Sequence, residues 1–413
     1  MSPRVAYLVG RYPQVSHTFI LQEVAALREL GVDVTTFSIW RTPDGDVRSD
    51  EERRERARTH ALLPPGPRAT VVSQLRAARS ARAYANLVAE AMRLGPPGIR
   101  RPLLGGSWIL EAAALWHALQ PTGVRHIHTH LGGTAPAVAM LATALGNAAE
   151  PHAAVPWTWS FTVHGPDELA HAEREQLRAK IEAASFVVAI SDFTRSQLMA
   201  LVDERHWPKL RVVHCGVDPA VYVPATRPAT DDFRVLCVGR LVSAKGHGVL
   251  LEATALAARE GVRIRLTIVG DGPKRVRLEA LASELGIKDR VTFAGAVAHD
   301  RLPEVFATAD AFCLPSFAEG LPVVLMEAMA TAIPAVTTSV NGIPELVVDG
   351  ENGLVVPPGR ADLVADALAR LAREPELRDR LGRAGRERVV EEFDVRREAQ
   401  RLHDLFIAYA GAQ

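Results

Sequence analysis

The sequence predicts an α/β protein with two doubly wound, Rossmann-like parallel sheets that face each other across a cleft. The chain has 413 residues, which is too long for a single hydrophobic core. Short runs that are apolar at nearly every position alternate with longer helical patterns, as in parallel sheets covered by helices on both faces. The stretch 217–232, rich in Pro, Thr and Asp, lacks periodicity and divides this pattern in two.

Six strands are predicted in the first half of the chain. They occupy residues 5–10, 32–39, 125–130, 160–164, 185–191 and 210–216. A helix at 18–30 connects the first two strands, as expected for a right-handed crossover between parallel neighbours. We expect these elements to form one domain over residues 1–218.

The second half repeats the alternation from residue 233. Its predicted strands occupy residues 233–239, 264–270, 290–295, 310–315 and 334–339. We expect them to form a second domain over residues 219–392, and a last helical segment at 393–413 to cross back to the first domain. Ligands of doubly wound sheets bind beyond the carboxyl ends of the strands, so the informative side chains should follow strands.

Residues 42–101 show the least regular pattern. From Arg68 to Arg101 the chain has seven arginines and a single acid, Glu90. A basic surface of this kind can contact an anionic membrane face, although a solvated helix face is the simpler interpretation. Asp44-Gly-Asp46 has the Asp-x-Asp spacing of some metal sites, but its charged, irregular surroundings favour a solvated turn.

Bulk composition excludes several functional classes. Basic and acidic residues both number 48, which gives no support to a nucleic-acid partner. The N-terminus lacks a signal-peptide pattern, no run is long enough to span a membrane, and only Gly10 follows the first strand where a dinucleotide fingerprint needs three glycines. Three widely spaced cysteines are typical of buried thiols in a reducing cytoplasm.

Two cations follow the first strand of the second half. Arg240 and Lys245 flank a short loop that precedes a helix. Fixed cations beside the amides of a helix start suit a diphosphate.

Two glutamates lie in the otherwise apolar segment "LPSFAEGLPVVLMEAMATAIP". Pro322 is predicted to be the first helical residue, with Glu319 before the helix and Glu327 in its second turn. In one continuous helix they would stand about 12 Å apart along the axis, so they cannot share a proton or a metal ion. We expect them to serve different parts of a long ligand, unless one is merely structural.

Histidines mark the ends of two strands in the first half. His126, His128 and His130 lie on one face of a strand, but no acid is near them in sequence, so a histidine directed into the cleft is favoured over a metal site. His164 ends another strand before a Gly-Pro turn, which predicts a hydrogen-bond donor facing the cleft.

Taken together, these motifs resemble the retaining glycosyltransferases of family 4, which have the GT-B fold. The resemblance is specific over about 210–392, through "VGRLVSAKG", "IVGDGP", "FAEGLPVVLMEAMATAIPAV" and "NGIPELVVDGENGLVVPPG". In the first half, "YPQVSHTFILQEVAALRELGVDV", "HIHTHL" and "SFTVHGPDEL" are similar to exopolysaccharide (colanic-acid-type) members. His17 departs from that subgroup, which usually has an acid there.

The resemblance implies that the second domain binds a nucleotide-diphosphate sugar, a UDP- or GDP-sugar, and that the first binds a hydroxyl acceptor. Arg240 and Lys245 would bind the diphosphate, Glu327 the ribose hydroxyls and Glu319 the donor sugar. Backbone amides of Gly320, Leu321 and Val323 would face the distal phosphate and sugar. Gly10 and His164 of the first domain would close over the phosphates and sugar, with His164 and Glu319 as the catalytic pair.

No metal and no further cofactor are expected on this interpretation. Because no protein nucleophile is evident, the acceptor is expected to attack from the face that the leaving phosphate occupies. An epimerase or hydrolase on the same fold, and a non-catalytic sugar-nucleotide-binding protein, remain alternatives. The base, the sugar and the acceptor stay open: an exopolysaccharide lipid-linked intermediate and a soluble natural-product core both fit.

Overall fold

Two parallel sheets, each covered by helices, form the framework of the protein. The structure, a computed structural model, describes residues 2–14, 17–63, 67–94, 101–173, 176–225 and 230–410. Contacts between residues divide the chain into two compact units, Met1–His214 with Glu398–Gln413 and Cys215–Arg397. The predicted α/β class with two doubly wound sheets is confirmed.

The first unit contains a seven-stranded sheet in which every neighbouring pair is parallel. Its strands are β1 (Arg4–Arg11), β2 (Asp33–Trp40), β3 (His60–Leu63), β4 (His126–His130), β5 (Thr158–Val163), β6 (Phe186–Ala189) and β7 (Leu210–Val212). Their order across the sheet is β3-β2-β1-β4-β5-β6-β7. Successive strands are therefore added on one side of β1 up to β3 and on its other side from β4 onward, a reversal of strand order that lies between β1 and β4. Ligand sites of such sheets lie at this reversal, beyond the carboxyl ends of the strands.

Helices connect these strands in order. They are α1 (Thr18–Glu29), α2 (Asp50–Arg58), α3 (Pro67–Ala78), α4 (Ala81–Leu94), α5 (Arg101–Leu119), α6 (Thr134–Ala149), α7 (Pro166–Ala170), α8 (Leu177–Ala183) and α9 (Asp192–Leu201). Helix α6 is buried along most of its length, which is why its sequence is apolar on nearly every face.

The second unit has a six-stranded parallel sheet with the same kind of reversal. Its strands are β8 (Phe233–Val238), β9 (Ile264–Val269), β10 (Val291–Gly295), β11 (Ala311–Leu314), β12 (Ala335–Thr338) and β13 (Leu354–Val356). Their order is β10-β9-β8-β11-β12-β13, so the reversal lies between β8 and β11. The segments that hold Arg240, Lys245, Glu319 and Glu327 all follow these two strands.

The helices of the second half begin at residue 247. They are α10 (His247–Arg259), α11 (Arg275–Glu284), α12 (Leu302–Phe306), α13 (Val323–Ala330), α14 (Ile343–Leu346), α15 (Ala361–Arg373), α16 (Pro375–Glu392) and α17 (Val395–Ala410). From Glu398 onward, α17 groups with the first unit. There the fully buried Phe406 packs its ring 5.4 Å from that of His128 and 6.0 Å from that of Phe186.

Residues 42–101 are more regular than predicted. Ser49 caps α2 and forms a capping box with Glu52, in which the Ser49 side chain accepts from the Glu52 N–H and the Glu52 carboxylate accepts from the Ser49 N–H. The Ser-x-x-Glu spacing is the sequence signal that would have located this helix. Residues 95–100 of the basic segment lie outside the described residues.

All three cysteines, Cys215, Cys237 and Cys313, are buried, as predicted. Burial raises the pKa of the Cys237 thiol to about 12. A thiol with so high a pKa stays protonated at neutral pH, so Cys237 acts as a small apolar core residue.

Candidate functional site

The loop after β8 brings a cation to the end of β11. Lys245 lies at the end of a short 3-10 turn, and its Nζ contacts both carboxylate oxygens of Glu319, at 2.7 and 2.9 Å. Ser316 Oγ donates to the same carboxylate at 2.6 Å. The Glu319 side chain is 8% exposed and that of Lys245 is 23% exposed, so the pair is held in a largely desolvated place.

Close backbone packing fixes this loop. Gly246 has φ of +67°, and a Cβ at this position would stand 1.9 Å from the carbonyl oxygen of Pro315. Only glycine combines that backbone conformation with that approach. The N–H of Phe317 donates to the carbonyl of Ala244 at 2.7 Å, which ties the loop after β8 to the segment that carries Glu319.

Arg240 lies in the same loop and is exposed. No carboxylate of the described residues forms an ion pair with it. The local charge is therefore two cations against the one carboxylate of Glu319, an excess of one positive charge that suits an anion.

Helix α13 begins one residue later than predicted. Pro322 has φ of −73° and ψ of 110°, an extended conformation, and is the residue before the helix, whereas Val323 is the first helical residue. The carbonyl of Pro322 accepts from the N–H of Leu325 at 3.0 Å. The prediction that Pro322 starts the helix was wrong because its ring fixes only φ, while its ψ stays in the extended region.

Glu327 lies on α13 and is almost completely buried, with 2% exposure. Its Oε1 accepts from the hydroxyl of Tyr222 at 2.9 Å and lies 2.9 Å from Nε2 of His299. Burial, and then the Glu327 charge, raise the pKa of Tyr222 far above its ordinary value, so this hydroxyl stays a donor. Glu319 and Glu327 thus have separate hydrogen-bond partners, and both carboxylates are buried.

Neither Tyr222 nor His299 was predicted from the sequence as a site residue. Tyr222 lies in the aperiodic segment 217–232, and His299 lies in a 3-10 turn four residues after Gly295 of β10. Neither falls in a periodic element or at a recognisable motif spacing. Only the fold brings these two side chains to Glu327.

The histidines of β4 form a polar ladder with β5. Ring nitrogens of His126 and His128 lie 2.8–3.1 Å from hydroxyl oxygens of the facing strand, which belong to Thr158, Ser160 and Thr162. All three β4 histidines are at most 1% exposed, and a histidine directed into the cleft stays a prediction. Burial lowers the pKa of His126 to about 3, which keeps its ring neutral.

An acid does approach these histidines, although none is near in sequence. Helix α1 supplies Glu23, whose Oε1 lies 3.0 Å from Nε2 of His130 and accepts from the hydroxyl of Tyr7 at 2.6 Å. Glu23, His128 and His130 have ligand atoms within 4.8 Å of one another, the spacing of a metal site. Both ring nitrogens of His128 and of His130 already have hydrogen-bond partners, so these side chains can instead form a fully paired polar core.

His164 continues this network at the end of β5. Its Nε2 lies 3.0 Å from Nδ1 of His130. The Glu23 carboxylate accepts from Nε2–H of His130, and Nδ1 of His130 shares one hydrogen bond with Nε2 of His164. Burial, and then the neighbouring His130, lower the pKa of His164 well below its ordinary value, so the ring is neutral. One ring nitrogen of His164, which was predicted to donate a hydrogen bond into the cleft, therefore bonds to His130.

Gly10 lies in β1, and a Cβ built on it would meet no atom within 4 Å. Gly320 is half-buried and Leu321 is 4% exposed. The roles predicted for these residues and for His164 remain predictions. Asp44, by contrast, lies in an exposed 3-10 turn and pairs with Arg56, which agrees with a solvated turn at this Asp-x-Asp spacing.

Comparison with known proteins identifies the family. The family model described as Glycosyltransferase Family 4 matches residues 16–221, and the model described as Glycosyl transferases group 1 matches residues 222–388. Among solved structures, sucrose-phosphate synthase from Thermosynechococcus elongatus has a TM-score of 0.71 at 24% identity and 98% coverage of both chains. HepE of Anabaena, solved in complex with UDP-glucose, has a TM-score of 0.70 at 16% identity, with 98% of this chain and 99% of that chain covered.

Curated relatives match over different lengths. The alpha-D-kanosaminyltransferase of Streptomyces kanamyceticus is 42% identical over 147 residues, but the match spans only 38% of that enzyme and 36% of this chain. A putative colanic acid biosynthesis glycosyltransferase of Salmonella typhimurium is 26% identical over 95% of this chain and 96% of its own length. The D-inositol 3-phosphate glycosyltransferase of Saccharomonospora viridis is 32% identical over 74% of this chain and 69% of its own length. With both halves matched by family models, the chain belongs to glycosyltransferase family 4 and has the GT-B fold.

Proposed function

We propose that the protein transfers a sugar from a nucleotide-diphosphate sugar to a hydroxyl acceptor, with retention of anomeric configuration and without a metal ion. The observation that carries the proposal is the buried contact of Lys245 with Glu319, at the reversal of the second sheet and beside the exposed Arg240. Curated relatives named as glycosyltransferases, and the UDP-glucose complex of HepE, support a nucleotide-sugar donor.

The diphosphate would bind beside Lys245. A lysine ammonium has three N–H donors, of which Glu319 takes at most two, so one remains for a phosphate oxygen. Arg240 adds a second cation, and α13 begins at Val323 with backbone N–H groups that have no partner inside the helix. Gly320 and Leu321 precede that helix start, so their amides would extend the same anion-binding surface.

Two glutamates would hold the two ends of the donor. Glu319 would accept hydroxyl groups of the transferred sugar, and Glu327 would accept those of the ribose. Because each carboxylate has its own partners in the structure, one ligand can contact both without either glutamate moving toward the other. A pair that flanked a single bond, as in glycoside hydrolases, would stand about 5–9.5 Å apart and share one reaction centre.

Glycosyl transfer breaks the bond between the anomeric carbon and the phosphate oxygen, and forms one from the acceptor oxygen to that carbon. The acceptor's proton passes to the departing phosphate oxygen, so no protein base is required. Negative charge develops on the departing phosphate oxygen as its bond to carbon breaks and before the proton reaches it, so Arg240 and Lys245 stabilise the departing group more than the ground state. Glu319 already binds Lys245 and Ser316, which lowers its nucleophilicity and favours same-face attack.

A donor screen and a transfer assay test this function. Nucleoside diphosphates of uridine, guanosine, adenosine and thymidine, and their sugars, would be ranked by thermal shift. The best donor would then be incubated with and without an acceptor mixture. Stabilisation by a nucleoside diphosphate, with loss of the shift in Arg240→Ala but not in the exposed control Arg277→Ala, is the expected result. No stabilisation by any of these ligands would contradict the proposal.

The same assay separates the alternatives. Rapid release of free sugar or of an epimer from donor alone would indicate a hydrolase or an epimerase. Donor binding with no chemistry in any acceptor mixture would favour a non-catalytic binding protein. In that case Glu319→Gln would alter donor affinity alone.

We also propose peripheral contact with the cytoplasmic face of a membrane through α3. Three of its apolar side chains are exposed, Val71 by 55%, Val72 by 42% and Leu75 by 64%, and Arg68 and Arg76 lie on the same helix. Within the described residues, the structure has no helix with the length and hydropathy of a membrane-spanning segment. Co-sedimentation with anionic vesicles should be reduced in Leu75→Ser. It should be kept in the control Val276→Ser, which removes an apolar side chain that is 79% exposed on α11.

A further inference from the structure

A pocket of about 750 Å³ opens in the first unit, beside β2 and α2. Its polar lining includes Tyr12, Arg41, Thr42, Arg53, Arg56 and His60. Tyr12 and Thr42 follow the carboxyl ends of β1 and β2, where doubly wound sheets bind their ligands. Nothing in the proposed donor chemistry uses these residues.

The pocket is positively charged. Three guanidinium groups line it, from Arg41, Arg53 and Arg56, and the single carboxylate among its described lining residues is that of Asp44. Three positive charges less one negative charge leave an excess of two among these lining side chains. Arg56 pairs with Asp44, and Arg53 pairs with Asp50, which lies outside the lining. These two carboxylate side chains are 89% and 81% exposed, so water can take over their solvation when an anion approaches the arginines.

Two buried hydroxyl groups line the same pocket. Tyr12 and Thr42 are each 1% exposed, and neither Tyr12 Oη nor Thr42 Oγ1 has a hydrogen-bond partner within the described part of the chain. A buried hydroxyl without a partner lowers stability, and such groups in proteins mark sites that a ligand or water completes. An anion bound by the arginines would offer oxygen acceptors to both hydroxyls.

We propose that this pocket binds a phosphate group of the acceptor substrate, an inference that rests on the glycosyltransferase function proposed above. A phosphate monoester carries about two negative charges, which equals the excess in the pocket, and guanidinium forks bind phosphate oxygens in pairs. A carboxylate has half that charge and fewer acceptor oxygens. The phosphate group of a soluble sugar phosphate and that of a lipid headgroup share this chemistry.

Phosphate binding is measured first with inorganic phosphate and glycerol phosphate, by calorimetric titration of the full chain. Because phosphate can also bind at Arg240 and Lys245, the titration is done with the stabilising nucleoside diphosphate at saturation. Arg56→Ala should raise the Kd for glycerol phosphate at least tenfold. Arg54→Ala should leave it within about twofold, because Arg54 is exposed on the same helix and does not line the pocket.

Two hydroxyl deletions keep the test valid if an arginine variant fails to fold. Tyr12→Phe and Thr42→Val remove the unpartnered oxygens without changing side-chain size. A purely structural role predicts an unchanged or raised Tm and an unchanged Kd for phosphate, since no hydrogen bond inside the protein is lost. The proposal predicts the same Tm effect together with at least a fivefold rise in that Kd.

Vesicles separate the two sources of phosphate. Binding to phosphatidylcholine vesicles that contain phosphatidate, lost in Arg56→Ala and kept in Arg54→Ala, would assign a lipid headgroup. Binding of glycerol phosphate without such vesicle binding would assign a soluble acceptor. Equal binding of both probes by Arg56→Ala and the unchanged protein, or no binding at all, would overturn the proposal.

Failure of this inference is distinguishable from failure of the proposed function. The nucleoside-diphosphate thermal shift depends on the second unit and should be the same in Arg56→Ala and the unchanged protein. If that thermal shift is present while the Kd for glycerol phosphate is the same in Arg56→Ala and the unchanged protein, only the proposed phosphate pocket is refuted. If no nucleoside diphosphate stabilises the protein, the glycosyltransferase function itself is refuted.

Discussion

Replacing Lys245 with methionine tests the ion pair of the second unit most directly. Methionine keeps the stem, whose Cδ lies 3.7 Å from the position of a Cβ on Gly239, but removes the ammonium that contacts both oxygens of Glu319. The Glu319 side chain is 8% exposed. Its charge would then be buried with the hydroxyl of Ser316 as a neutral partner.

The expected destabilisation follows from that burial. Removing one partner of a fully buried pair costs about 3–5 kcal/mol. Because Lys245 is 23% exposed, water can replace part of its contact with Glu319, so we expect a free energy of unfolding lower by about 2–3 kcal/mol. Glu319→Gln leaves the more exposed partner unpaired and should cost about 1 kcal/mol.

The double variant Lys245→Met/Glu319→Gln should be more stable than the sum of the single changes predicts. Contacting charges usually show coupling energies of about 0.5–3 kcal/mol, and the short distances here favour the upper half of that range. Urea unfolding followed by circular dichroism, with Lys288→Met as an exposed control, measures the coupling. Additive single changes, or a Lys245→Met variant as stable as Lys288→Met, would refute the energetic interpretation of this pair.

Turnover gives an independent readout of the same variant. If Lys245 stabilises the departing diphosphate, Lys245→Met should lower kcat by about 10²–10³-fold, the loss seen when one preorganised electrostatic group is removed. The measurement is sugar transfer, or donor hydrolysis when no acceptor is known, at saturating donor. Lower stability with unchanged kcat would mean that the pair only maintains structure.

Three further predictions concern the surrounding residues. Gly246→Ala should lower Tm by several degrees more than Gly261→Ala. Both glycines have positive φ, but only at Gly246 would a Cβ meet a backbone oxygen, at 1.9 Å. Equal losses of Tm would contradict this. Tyr222→Phe should raise the Kd for the nucleoside diphosphate several-fold with about 1 kcal/mol lost in stability, since the hydroxyl that orients Glu327 is removed; calorimetric titration would show an unchanged Kd if Glu327 does not bind the ribose. Glu111, 2% exposed, has its pKa raised by burial from 4.5 to about 7, so the folded state keeps a proton that the unfolded state releases above pH 4.5. The unfolding free energy should therefore fall by up to about 3 kcal/mol between pH 4.5 and pH 7 from this group, and Glu111→Gln should raise Tm at pH 8 but not at pH 4; the same Tm difference at both pH values would exclude this titration.

Strands of continuous apolar residues were the most predictable elements. All eleven predicted strands overlap observed ones, because strands buried on both faces of a parallel sheet need apolar side chains at nearly every position. Strands β3 and β13 were not predicted; they have four and three residues and lie at the edges of their sheets. A strand this short has too few residues for any period to be recognised, and β7, an edge strand of three residues, was predicted only as part of the longer run 210–216.

The predicted site residues divide by how local their surroundings are. Arg240 and Lys245 were recognisable because a short loop after a strand keeps them together in sequence. The two partners of Glu327 lie 105 and 28 residues before it in the chain, so no spacing rule could have predicted them. Glu23 is likewise 107 residues from His130, which explains why the β4 histidines seemed to lack an acid.

The hydrogen bonds that Glu327 already makes limit the binding free energy that a donor could gain from this carboxylate. Oε1 of Glu327 already accepts from Tyr222 and lies beside His299, so a ribose hydroxyl directed to that oxygen exchanges one hydrogen bond for another and gains little free energy. Tyr222 is completely buried, whereas the His299 side chain is 20% exposed, so His299 is the partner that can yield.

Affinity for the donor should therefore come from the diphosphate and selectivity from the ribose. Near Lys245 and Arg240 the charge excess attracts a diphosphate whatever its base, and this attraction weakens as salt is added. At Glu327 the fixed hydroxyl of Tyr222 leaves room only for a ligand whose hydroxyl groups match the remaining carboxylate positions. Added salt should then weaken nucleoside diphosphates strongly, while the ratio of ribose to deoxyribose affinities stays constant. A ratio that falls with salt would mean that Glu327 contributes charge to the site instead of hydrogen-bond geometry.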